Sequence, residues 1–209
     1  MPLETVISFF LITAIATAIP GPTMLFIASC GLTHDNKAYL GAAAGVLVAD
    51  SIYFILTVSG LGAILITSHE LFLALKWLGV AYLIYLGLKL IVANYKVDIK
   101  LNSLSSHENI FRDTFMKGFF VHIANPKTIL FFSALLPQFI DTQKPLMIQF
   151  VIIGSVLVFT QAGVSIIYGA LANRLRVSLN NSYLGLKPNI IAGFLIVLAG
   201  LCLATLRRA

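Results

Sequence analysis

The feature that most constrains this chain is a series of long apolar runs that are nearly free of charge. They extend from about Thr5 to Ser29, Tyr39 to Thr67, Leu71 to Val92, Phe115 to Leu136, Leu146 to Ala172 and Asn189 to Leu206. A hydrocarbon core of about 30 Å is crossed by about 20 helical residues, and lipid offers no water to satisfy stray main-chain groups. Runs of this length therefore fold as spanning helices. A membrane β-barrel would show segments of about ten residues with alternating hydrophobicity, and these runs are longer and do not alternate. Charged residues make up 11% of the chain, against roughly 25% in soluble domains, and the mean hydropathy is +0.96. The expectation is an all-α integral membrane protein with six transmembrane helices.

Two of the runs are broken. Pro20-Gly21-Pro22 interrupts the first, and Asn125-Pro126-Lys127 interrupts the fourth. Proline has no N–H, so the carbonyls of Ala16 and Ala18 lose their intrahelical partners at the first break and that of His122 at the second. Gly21 removes the side chain where the chain must bend. Residues 5–19 alone make about 22 Å of helix, short of a crossing, so the part beyond Pro22 must complete it. Three spans, a linker and three spans make a repeat of odd span number, so its second copy runs through the membrane inverted. The division expected is 1–93 for the first three-helix repeat, 94–114 for a polar cytoplasmic linker and 115–209 for the second. Pro22 to Ser29 can be laid on Lys127 to Ala134 at an offset of about 105. Broken spans at matching places in two halves point to a transport site near the midplane. The half-helix N-termini after Pro22 and Pro126 would face one cavity with partial positive charge, which suits a carboxylate.

The net charge of +6 does not imply nucleic acid. The basic residues lie in short loops beside apolar runs, where they orient spans and meet anionic headgroups of the bilayer. The odd loops gather Lys37, Lys89, Lys96, Lys100, Arg112, Lys117, Arg174, Arg176 and Lys187, while the other side holds Lys76, Lys144, Arg207 and Arg208. That asymmetry puts the odd loops in the cytoplasm and both termini outside. Cys30 and Cys202 are single thiols without a CxxC, so a disulfide framework, a zinc site and a redox pair lack support. His34, His69 and His107 form no metal-ligand spacing, and no cofactor is implied. The first run has no basic segment before it and continues past the prolines, so it reads as a retained span rather than a signal peptide.

Asp50 lies deep in the second run, where a carboxylate costs roughly 2.5–3.5 kcal/mol on insertion scales. It reads as a proton carrier or a ligand for a substrate ammonium, against a structural ion pair or a helix cap. Lys127 lies ten residues from both Lys117 and Pro137 and cannot readily snorkel to either surface. It reads as a counter-charge to Asp50 or an anchor for a substrate carboxylate, against a lysine in a loop. Asn125 reads equally as a ligand for substrate or for the freed carbonyls. Pro20, Gly21, Pro22 and Pro126 are either plain kinks or the walls of a site. Gln161 and Thr160 read better as bridges between helices, and His122 better as a satisfied core histidine than a proton relay. Tyr53, Tyr82 and Tyr85 read as packing or interface residues. The glycine pairs Gly41/Gly45, Gly79/Gly87 and Gly193/Gly200 permit close helix approach and a homodimer.

Taken together, Pro20-Gly21-Pro22, Gly41…Gly45…Asp50, Lys76-Trp77…Gly79…Tyr82-Leu83…Tyr85-Leu86-Gly87 and Asn125-Pro126-Lys127 followed by Leu135-Leu136-Pro137-Gln138-Phe139 resemble the LysE/RhtB family of amino-acid exporters. The patterns occur in order and cover nearly the whole chain, the last two spans by hydropathy more than by motif. The resemblance implies a prokaryotic cytoplasmic membrane, efflux of amino acids or their derivatives (homoserine, threonine and leucine among them), and use of the proton gradient. The alternatives are a channel, or an exporter of another small metabolite or ion on the same scaffold. A redox carrier would need paired cysteines in the first and fourth spans, and a metal exporter would need histidine-rich loops or several intramembrane carboxylates.

Overall fold

Proline and glycine set the boundaries of the helices. The computed structural model describes residues 1–34, 36–60, 77–78, 80–88, 91–92, 107–180 and 188–205, and the described residues are helical with no strand. Helix α1, Leu3–Ala18, ends where Ile19 N–H makes the last bond back to Ile15 and Pro20 has none to give. Helix α2, Pro22–Thr33, starts with a proline at its first position, where the N–H would be unpaired anyway. The two are bent by 59°. Helix α3, Asn36–Val58, stops at Gly60, whose φ of +79° closes the last turn with a bond from its N–H to Thr57. Of the span expected to reach Thr67, residues 61–67 lie outside the described residues.

Helix α4, His107–Ile123, begins inside the stretch read as linker, so residues 107–114 form its opening turns. After the break at Ala124-Asn125 comes α5, Pro126–Leu130, again with proline at its first position, then a π turn at Phe131–Leu135 and a 3-10 turn at Leu136–Phe139. This second bend is 56°. The two half-helix starts are 104 residues apart (126 − 22), one less than the offset read from side-chain similarity, because both begin on the proline itself. Helix α6, Leu146–Asn180, runs past Ala172 through Arg174 and Arg176, since nothing in that stretch breaks a helix. Helix α7 is Pro188–Thr205. Lys76, Gly79, Lys89, residues 94–106, Lys187, Arg207 and Arg208 lie outside the described residues.

Among the described residues, α3 and the Leu146–Ser178 part of α6 are each long and apolar enough to cross a membrane, and each bent pair passes the same test as one broken span. The outer faces are apolar, with Ile15, Ile55, Val151, Phe159 and Leu171 exposed as lipid-facing residues would be. Helix α3 packs most extensively on α4, and α1 and α2 pack on α6. The first contact is close enough to exclude side chains: a Cβ on Gly118 would sit 2.5 Å from the carbonyl oxygen of Ala42, and Gly41 and Gly45 press on the backbone of Phe111 and Phe115. Gly87 meets Gly193 of α7 in the same way, its added Cβ 2.8 Å from the Gly193 oxygen. These glycine faces, read from sequence as permitting a homodimer, therefore close contacts within the chain. Three apolar clusters result among the described residues, one around Ile27, Val46, Leu83 and Ile196, one around Phe9, Tyr53, Phe132 and Ile153, and a small one of Leu32, Ala172 and Ala192.

Candidate functional site

Each break leaves main-chain oxygens without their helical donors, and the donors that replace them assemble the site. At the first break, Lys127 Nζ donates to Ala16 O (2.7 Å) and Ile19 O (2.9 Å), and Tyr168 Oη donates to Ala18 O (2.7 Å). At the second, Asn125 N–H returns to His122 O (3.1 Å), and Tyr53 Oη donates to Ile123 O (2.6 Å). Tyr53 also stacks on Phe132 with ring centroids 5.5 Å apart. The freed oxygens of Ala16 and Ala18 are thus bonded by side chains from remote parts of the chain and that of His122 by the main chain, as a low-dielectric setting requires.

The two breaks meet through a buried polar network. Asn125 Oδ1 accepts the N–H of Lys127 (3.1 Å), which fixes the amide so that its Nδ2 donates to Thr23 Oγ1 (2.9 Å). Thr23 Oγ1 lies 3.0 Å from His122 Nδ1, and His122 Nε2 lies 2.6 Å from Asp50 Oδ1. Asp50, His122, Thr23 and Asn125 are all buried. With the His122 tautomer that carries its proton on Nε2, Asn125 donates to Thr23, Thr23 donates to Nδ1, and Nε2–H donates to Asp50. A further proton on Nδ1 would compete with the Thr23 hydroxyl and force it to turn. The Asp50–His122 pair is therefore hydrogen-bonded to the first turn of α2 and, through Thr23, to the cap of α5.

A cavity between the breaks is lined by Thr13, Ala16, Thr17, Gly21, Thr23, Met24, Asp50, His122, Asn125, Lys127, Thr128, Phe131, Phe132, Leu157 and Gln161. It holds about 50 Å3 of space for water centres, and one ordered water needs roughly 10–15 Å3, so it takes a few waters.

Of the residues singled out from sequence, Gly21, Asp50, Asn125, Lys127, His122 and Gln161 line this one cavity. Pro20, Pro22 and Pro126 do not line it. They set the bends, and Pro20 lies exposed on the outside of its own. Lys127 is not paired with Asp50; among the described residues His122 holds the Asp50 carboxyl, and Lys127 is drawn to the carbonyls of the first break. Among the described residues Gln161 bonds within its own helix, its Nε2 donating to Ser165 Oγ at 3.3 Å. The start of α5 does not offer free N–H groups to the cavity: Asn125 takes the Lys127 N–H with its side chain and those of Thr128 and Ile129 with its carbonyl. Gly21 gives no such side-chain cap to α2. Sequence reasoning missed Thr23, Thr13, Thr17, Thr128 and Tyr168. Thr13, Thr17 and Gly21 recur at helical spacing in the first run, a polar stripe that was there to be read.

These features define a polytopic helical membrane protein whose polar site lies between two proline-broken helices. Residues 14–207 match the model of the LysE type translocator family, and the chain belongs to that family. It is a membrane transporter, not an enzyme. It is 30% identical over 209 residues, all of both chains, to the homoserine/homoserine lactone efflux protein of Salmonella typhimurium. An uncharacterized membrane protein of Vibrio cholerae serotype O1 is 30% identical over 198 residues, covering 94% of this chain and 95% of that one. Another, from Bacillus subtilis strain 168, is 29% identical over 161 residues, 74% and 77% of the two chains. No solved structure matches.

Proposed function

We propose that this chain exports amino acids or close derivatives from the cytoplasm in exchange for protons, by alternating access around the cavity between the breaks. The observation that carries the reading is the Asp50–His122–Thr23–Asn125 network with Lys127, which ties both broken helices to one buried polar chamber. Buried ionisable groups in a span are costly and mark ion and substrate paths. Lys127 holds two carbonyl oxygens that a substrate carboxylate can replace. Asp50 accepts either a substrate ammonium or a proton, but not both, and that competition makes an exchanger. The cavity has room for a few waters, so substrate access requires the broken helices to shift at their bends. The family and the efflux relatives support the substrate class.

In this reading residues 1–93 and 115–209 are inverted three-helix repeats joined by 94–114, in the inner membrane, with odd loops cytoplasmic and termini outside. The packing favours it. Exchanging the halves turns the contact of the first broken span with α6 into that of the second broken span with α3, and both are extensive. The two bends, 59° and 56°, also agree.

The test uses inside-out membrane vesicles and labelled L-homoserine. An acid lumen should drive accumulation, and a protonophore should abolish it. Asp50→Asn should lose accumulation while remaining in the membrane. Uptake that only equilibrates and ignores the proton gradient would identify a channel instead.

A further inference from the structure

Thr13 is the buried polar side chain of α1, 2% exposed in a helix that otherwise buries only Phe9 among its described side chains. Its Oγ1 has no hydrogen-bond partner among the described residues. That sets it apart from other hydroxyls in these helices. Thr33, Thr57 and Thr114 each bond a carbonyl four residues back at 2.8 Å, and Ser51 does the same. Thr13 does not turn back on its helix, and it lines the cavity. A buried hydroxyl without a partner is costly, and in a chamber that admits ligand the missing partner is supplied from the chamber.

The position suits one part of a substrate. The charged ends are provided for by Asp50 and Lys127. Thr13 lies three residues from Ala16, whose carbonyl holds Lys127, or about 4.5 Å of helix rise. Phe131, Phe132, Leu157 and Met24 supply apolar wall, and the lining hydroxyls of Thr23 and Thr128 already face His122. A buried hydroxyl whose partner must come from the chamber discriminates on whether the substrate can bond it.

We propose that Thr13 reads an oxygen on the substrate's side chain and sets a preference for oxygen-bearing amino acids over aliphatic ones of the same shape. This rests on the exporter reading above.

The test compares vesicle uptake of L-homoserine with that of L-norvaline, which replaces the hydroxyl with a methyl group. The ratio is taken within one preparation, so differences in protein amount cancel. The wild type should prefer homoserine. Thr13→Val, which keeps the shape, should lower that preference roughly three- to tenfold, and Thr13→Ser should retain it. Thr13→Ala serves if the valine variant fails to accumulate. Thr160 carries the other buried hydroxyl without a partner among the described residues but does not line the cavity. Thr160→Val should therefore leave the ratio unchanged. An unchanged ratio in Thr13→Val with homoserine still transported would overturn the role of Thr13 and leave the exporter standing. A wild type that carries neither compound would bring down both.

Discussion

Replacing Lys127 with methionine keeps a long unbranched chain and removes the ammonium that holds Ala16 O and Ile19 O. A buried acceptor left without a donor costs about 1–3 kcal/mol, and bonds to charged groups lie at the upper end. Ile19 is exposed, so its carbonyl recovers part of the loss and contributes less than Ala16. The sum is about 2–4 kcal/mol. At roughly 2–4 °C per kcal/mol for a chain of this size, Tm should fall by roughly 4–16 °C. The assay is thermal unfolding of purified protein in detergent, followed by loss of helical circular dichroism. Homoserine at saturating concentration should raise the wild-type Tm and leave that of the variant unmoved, because the same ammonium is the carboxylate anchor. A variant that melts within about 1 °C of the wild type would refute the idea that Lys127 satisfies the first break.

His122→Gln should retain membrane insertion but flatten the dependence of export on pH, as the Asp50 pair loses its titratable partner; an unaltered pH profile in vesicles would count against the pair as the proton site. Gly118→Leu drives a side chain into the backbone of Ala42 and should cost ~3 kcal/mol, read as loss of protein from the membrane fraction by immunoblot. Tyr168→Phe removes the donor to Ala18 O at an exposed position, so it should cost about 1 kcal/mol, a Tm drop of roughly 2–4 °C, with export intact.

The breaks were legible because they follow from a local rule: proline has no N–H, and the freed oxygens can be counted from the sequence alone. Their partners were not legible. Lys127 reaching Ala16 across 111 residues and Asp50 meeting His122 across 72 depend on how helices dock, which spacing along one strand of text does not encode. Asp50 and Lys127 stood out as isolated charges, and pairing them with each other was the simplest electrostatic guess. It failed because main-chain oxygens compete for an ammonium as well as carboxylates do. The glycine spacing likewise showed that helices would touch without showing which ones. The helix start at His107 was obscured by its polar first turns, where composition imitates a linker.

The contact of Gly118 with Ala42 has a mechanical consequence. Two backbones pressed together with nothing between them have no slack, so this pair resists sliding and twisting and travels as a single bar. Compliance must then come from the elbows, where carbonyls are gripped by the tips of lysine and tyrosine side chains that can let go and be replaced one at a time. The molecule would articulate by swapping handholds at its joints while its beams stay straight.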